Sequence, residues 1–305
     1  MTKIIFVLIM SILSQIINHF RSGSEKLKRL GYKLLIVHAD DMGLSHSANL
    51  ACTKALEIGT VTSASIMMPC LGAKEAIDLS NQNKNTDFGI HLTLTSEWPN
   101  YRWSPVLGKK VSSLTDSEGF FFKTCEELEK RAKISEVESE WRAQIELALS
   151  QGMRPTHLDC HMFSGTINRE FLSVYVRLGR TYELPVQLYR KKLRKLTHYY
   201  LNSCVSDNET LIDRLYIATP RQVKDGQTAN FYKNVLLNLE PGINCLLVHP
   251  AYDNCEMKMI TQGMVDYNSK WRQADLDFLT NEECREIIQG KDIILTDWRK
   301  LSQYL

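Results

Sequence analysis

Short apolar runs that alternate with helix-like stretches constrain this chain more than any other feature. Lys33–His38 (KLLIVH) reads as a strand buried on both faces. His46–Ile58 then reads as a helix stopped by Gly59. Val61–Met68 (VTSASIMM) is a second strand ended by Pro69, a helix follows near Ala73–Ser80, and Phe88–Leu94 is a third strand. Further strands are expected at Thr156–Cys160, Pro185–Leu188, Asn244–Val248 and Asp292–Leu295, and Cys125–Gln151 carries one long amphipathic helix pattern. Strand–helix alternation repeated in this way predicts a parallel sheet with crossover helices. After the first strand comes ADDMG rather than G-x-G-x-x-G, which speaks against a dinucleotide-binding fold. The expected fold is α/β, a distorted TIM-like (β/α) barrel built as a single domain. No internal repeat, low-complexity stretch or Pro/Ser-rich linker divides it.

Lys+Arg 37 against Asp+Glu 35 leaves a formal charge of +2, so no overall field draws in nucleic acid. The first residues stand apart. Lys3 precedes the apolar run Ile4–Leu13, whose length suits a signal-peptide core and falls short of the ~20 residues of a bilayer span. Residues 1–22 are therefore expected to be a leader and 30–305 the folded unit, exported to a periplasmic or secreted location without stable membrane insertion once the leader is removed. The alternative is an N-terminal helix packed on a cytoplasmic domain. Eight cysteines carry no C-x-x-C spacing, so neither a disulfide scaffold nor a zinc finger is indicated. Most are expected to be buried thiols, with one or two bridges open if the chain is exported.

The chemistry-bearing residues fall where strands end, the face on which parallel α/β proteins build their sites. Asp40-Asp41 closes the first strand, His91 lies in the third, His157-Leu158-Asp159-Cys160-His161 closes the fourth, and His249-Pro250 closes a later one. Two adjacent carboxylates near one pocket repel unless a cation or proton joins them. One would bind a divalent ion and the other act as a base; alternatively, one caps the helix starting near Ser45. Residues 157, 159 and 161 share one strand face, so two imidazoles and a carboxylate converge there. Asp and His donors with open positions for water suit zinc, iron or similar ions. His249 is placed to reach the site as a general acid.

These residues stand in motifs that resemble a known family. LLIVHADDMGLSHSANLACTKALEIGTVTSASIMMP is similar to the opening of the YdjC/ChbG carbohydrate deacetylases, and GIHLTL, PTHLDCHMF and LVHPAY match its later blocks in order, from about Leu34 to Trp298. The resemblance implies a TIM-like barrel that hydrolyses acetamide groups on amino sugars with one divalent metal ion. Its metal ligands fall on Asp41, His91 and His161, its base on Asp40 and its general acid on His249. The donor set suits Zn2+, whereas the family is usually assigned Mg2+. Family members often continue the third block as H-H-x-H, while here Met162, Phe163 and Ser164 follow His161, which leaves the sugar undefined.

On this reading Asp40 takes a proton from the attacking water and protonated His249 gives one to the departing amine, while Asp159 fixes the tautomer of a neighbouring histidine. His157, Trp98 and Trp103 are expected beside the metal or against the sugar, with the aromatic loop 95–122 as a lid or platform, or as a loop tethered by its own apolar residues. The basic run Tyr189–Lys195 reads as a solvated helix face. The expected partner is a small-molecule carbohydrate; a homodimer is allowed. Two rival readings stand beside this one: a metal-dependent hydrolase of another bond, such as a phosphoester, and a non-catalytic sugar-binding relative.

Overall fold

The computed structural model describes residues 22–190, 205, 209–224 and 226–304. The expected leader, apart from its last residue, lies outside these, as do residues 191–195 of the basic run and Cys204. Among the described residues no helix is long and apolar enough to cross a membrane. Of the other seven cysteines, Cys52, Cys70, Cys245 and Cys284 are buried free thiols.

Helix α1 (Ser22–Arg29) leads into β1 (Lys33–Met42), α2 (His46–Ile58), β2 (Ser63–Ile66), α3 (Ala73–Gln82) and β3 (Asp87–Leu92). After the aromatic loop come α4 (Cys125–Arg131), α5 (Ile134–Ser150), β4 (Leu158–Cys160), a 3-10 segment (His161–Thr166) and α6 (Arg169–Thr181). The C-terminal part supplies β5 (Leu188–Tyr189), β6 (Leu211–Ile212), β7 (Arg214–Ile217), α7 (Pro220–Lys224), α8 (Thr228–Leu237) and β8 (Gly242–Val248). It ends with α9 (Cys255–Ile260), α10 (Ser269–Thr280), α11 (Glu282–Gly290), β9 (Ile293–Leu295) and α12 (Trp298–Leu301).

The strand order is β4-β3-β2-β1-β8-β7, and every pairing between named strands is parallel. Because β8 runs along Lys33–Ala39 of β1, the other edge of β1 is shared, with β9 on Lys33–Leu35 and β2 on His38–Met42. Val186 bridges to Leu158 of β4, and β5 pairs with β6, which runs on into β7. The sheet thus curls towards closure as a distorted barrel, the architecture the alternation implied. Strands β2, β3 and β8 are buried throughout and β1 nearly so, as parallel strands under helices must be, whereas β7 at the end of the strand order is half-buried.

Local signals explain the elements that carry the site. Ser45 caps α2 by accepting from the Ala48 N–H, and Gly59 ends it at φ 85, a left-handed conformation that suits glycine. The single helix expected over Cys125–Gln151 is instead α4 and α5, broken at Ala132 and Lys133, both extended. No Gly or Pro marks that break. Tertiary contacts stabilise it: Ser113 Oγ accepts the Lys133 N–H and donates to Glu136. The stretch 211–217 was not expected to be a strand; it lacks a continuous apolar run because Asp213 and Arg214 interrupt it.

Candidate active site

At the carboxyl end of β1 the register with β2 shifts: Ala39 opposes Ala64 and Met42 opposes Ile66, so Asp40 and Asp41 together face Ser65. This is a β-bulge, which bends the strand and re-aims side chains. Asp41 sits at φ 64, in the left-handed region that Asp tolerates better than most residues. Strict alternation would have sent the two carboxylates to opposite faces; the bulge turns both inward.

Three donor atoms face one another there. His161 Nδ1 lies 3.3 Å from His91 Nε2 and 3.4 Å from Asp41 Oδ1, and His91 Nε2 lies 3.5 Å from that same oxygen. All three side chains are buried. Asp41 Oδ1 has no hydrogen-bond partner. The far atom of each of the three side chains is tied: His91 Nδ1 donates to Asp159 Oδ2 (2.8 Å), His161 Nε2 donates to Glu97 (3.0 Å), and Arg272 Nη2 donates to Asp41 Oδ2 (2.8 Å). These bonds fix both imidazole tautomers with a bare nitrogen aimed at the common point. Burial opposes the Asp41 charge, but Arg272 and the two imidazoles hold its carboxyl well below the usual range.

A tetrahedral ion with bonds of ~2.0–2.1 Å needs donors ~3.3 Å apart. The triangle meets that requirement, so these residues fit a divalent ion.

Asp40 lies beside the triangle. Burial pushes its carboxyl up to about 7, against the lowering pull of His91 and His38. Its Oδ2 is 3.7 Å from His249 Nε2, so the expected base and acid are neighbours. Burial also pushes His249 down to about 3. Burial thus favours the neutral form of its imidazole. The His249 backbone N–H donates to Asp275, whose other oxygen accepts from Tyr232, and its ring packs edge-on against Tyr267 at 4.8 Å.

Asp159 takes the place expected for it behind His91. His157 does not reach the triangle. It lies deeper in the barrel, paired with Asp87 (3.2 Å) and stacked on Trp298 at 5.2 Å. Trp98 and Trp103 are buried, at 2% and 3% exposure, rather than open to a sugar. Trp103 packs edge-on against His161, and the Arg272 guanidinium lies over Trp98. The loop 95–122 is the tethered alternative, held by Glu140, which accepts from the Val106 and Leu107 N–H groups, and by Arg102, which donates to Asp116. Sequence reasoning missed Glu97, Arg272, Asp275 and the serines Ser63 and Ser65. A cavity of about 20 Å³ opens beside Asp40, lined by Phe163, Tyr189 and Leu247 among others. A larger groove of about 750 Å³, bordered by Pro220, Lys233, Val265 and Asp277, includes none of these titratable site residues.

The YdjC-like protein family model matches residues 34–290. A carbohydrate deacetylase of Thermus thermophilus is 31% identical over 276 residues, covering 87% of this chain and 92% of that protein. One from Brevibacillus brevis is 35% identical over 274 residues, covering 88% and 99%. A crystal structure from Enterococcus faecalis, provisionally described as a cellobiose-phosphate cleavage protein, superposes with a TM-score of 0.73 at 26% identity, covering 88% of this chain and 99% of that one. With the family model matched over residues 34–290 and relatives 31% and 35% identical over most of both chains, the chain belongs to the YdjC-like family.

Proposed function

We propose that this protein is a metal-dependent hydrolase that removes acetyl groups from N-acetylated amino sugars. The observation that carries the reading is the adjacency of two units: three converging donors of Asp41, His91 and His161, and the Asp40–His249 pair beside them. The names of the relatives support the substrate class. Two imidazoles and one carboxylate at 3.3–3.5 Å spacing favour a tetrahedral, zinc-class ion over an octahedral one, whose donors at the same bond length would stand ~2.9 Å apart. When bound, such an ion lowers the pKa of water and polarises an acyl oxygen.

The remaining work falls to this chain's own groups. Asp40 in its ionised form accepts the proton of the attacking water. His249 enters neutral and receives that proton from Asp40 across the 3.7 Å contact, then delivers it to the departing amine. One proton thus moves from water to nitrogen, its delivery returns both groups to their starting states, and the product acid releases its own proton to solvent. Asp275 and Tyr267 hold His249 from behind. The small cavity beside Asp40 has room for a methyl group or one water, which suits an acetyl better than a larger acyl group.

The test is acetate release from N-acetylglucosamine oligomers with and without a chelator. The reading expects release that chelation stops and added zinc restores. No acetate from any N-acetylated sugar, with ion binding intact, would favour hydrolysis of another bond or sugar binding alone.

A further inference from the structure

His38 is fully buried beneath the site, and nothing in the reaction as described so far uses it. Its hydrogen bonds fix its charge. Nδ1 lies 2.8 Å from Ser63 Oγ, and that hydroxyl donates to Asp87 Oδ1 at 2.7 Å. Burial opposes it, but the His157 and Ser63 hydrogen bonds keep the Asp87 carboxyl below its usual range, so Asp87 accepts only. A serine has one proton to give. With it spent on Asp87, Ser63 shows His38 only lone pairs, and Nδ1 carries a hydrogen.

Nε2 meets the same situation at the other end of the ring. It faces Asp159 Oδ2 at 3.1 Å, Ser65 Oγ at 3.2 Å and Asp40 Oδ1 at 3.3 Å. Ser65 spends its proton on Asp159, at 2.9 Å. A bare Nε2 would meet lone pairs on both Asp159 and Ser65, even with a proton on Asp40. A ring whose two nitrogens both donate is an imidazolium.

From this we infer that His38 is a permanent imidazolium that joins Asp159 to Asp40 and acts as a positioning residue for the base. The inference rests on the reading of Asp40 as that base. Asp40 Oδ1 and Asp159 Oδ1 have no hydrogen-bond partner, and two buried carboxylates this close need a cation between them. His38 supplies one from the chain itself. By drawing Oδ1 of Asp40 downward it leaves Oδ2 turned towards His249 Nε2, the orientation that proton transfer requires. The His157 ring, edge-on at 5.1 Å, completes the packing around it while its own Nδ1 serves Asp87.

The test reads ring protonation directly. In 15N-labelled full-length protein, with and without added zinc, long-range 1H–15N spectra distinguish protonated from bare imidazole nitrogens, and loss of one signal set in His38→Gln assigns the ring. Both His38 nitrogens are expected to be protonated at neutral pH and to remain so into the alkaline range. One bare nitrogen at neutral pH would overturn the inference, and this reading needs no substrate. In the folded, zinc-loaded His38→Gln protein kcat is expected to fall about 10–100-fold with KM and ion content unchanged. An unchanged kcat would count equally against it. If the unaltered protein turns over no acetamido sugar, the role of Asp40 fails while the spectrum still decides the state of His38.

Discussion

Two groups of buried His and Asp side chains occupy successive levels of the barrel, made of the same residue types and put to different uses. At the carboxyl ends of β1, β3 and β4, Asp41, His91 and His161 have their far atoms tied to Arg272, Asp159 and Glu97, which leaves three donors facing one another. Towards the amino ends of β2 and β3, Ser63 links His38 Nδ1 to Asp87 and His157 Nδ1 pairs with Asp87, while His38 Nε2 faces Asp159 and Asp40. Only His157 Nε2 lacks a partner there, and it is pressed against Gly89, where a Cβ would come within 2.4 Å of it. His38, His157 and Asp159 also come within reach of one another here, but both His38 nitrogens and His157 Nδ1 already face Ser63, Asp159 and Asp87. The difference teaches that a candidate metal site is marked by donors held from behind with lone pairs turned to one point; a count of histidines does not distinguish the two levels.

Variants at the two levels should therefore behave differently. The largest effect is expected from His161→Ala, which removes a ligand: ion content measured by elemental analysis and acetate release should both fall to background. Asp40→Asn should lower kcat by about 10^2–10^4-fold with the ion retained; loss of the ion would show that Asp40 is itself a ligand. Glu97→Gln leaves His161 in place but removes the carboxylate behind it, and ion affinity measured by calorimetric titration should weaken about 10–100-fold.

The pH profile tests the base. Burial raises the Asp40 carboxyl to about 7, so its ionised, proton-accepting form grows as pH rises to that value. Since a bound dication favours the ionised form, kcat/KM should climb on the acid side and level off at or below about pH 7. A rising limb centred above that pH would contradict the assignment. The smallest functional effect belongs to the lower level: His157→Gln should leave ion content and kcat unchanged while lowering stability to urea by about 1–3 kcal/mol, the cost of removing one of the partners of buried Asp87.

Much of the upper level could be read from sequence because its ligands sit at strand ends in short motifs. The apolar run KLLIVH located β1, and 157–161 carried Asp159 and His161 on one face. The bulge that brings Asp40 and Asp41 together left only an indirect trace, two adjacent acids before a glycine. Arg272 could not be found in this way: it lies 231 residues from Asp41, inside SKWRQADLDF, where a lone arginine reads as helix surface. Burial of Ser269, Arg272, Asp275, Leu276 and Leu279 on α10 shows that polar and apolar residues share one inward face, a pattern that hydrophobic periodicity discounts. Ser63 and Ser65 were hidden for a similar reason. In a strand buried on both faces a serine looks like a small core residue, and only its partners reveal that it directs protons.

Ion stoichiometry across the two levels tests the central claim most directly. Zinc titration of the unaltered protein, His161→Ala and His157→Gln should give one ion per chain, none and one, respectively. An equimolar ion kept by His161→Ala, or lost from folded His157→Gln, would place the metal elsewhere and contradict the account.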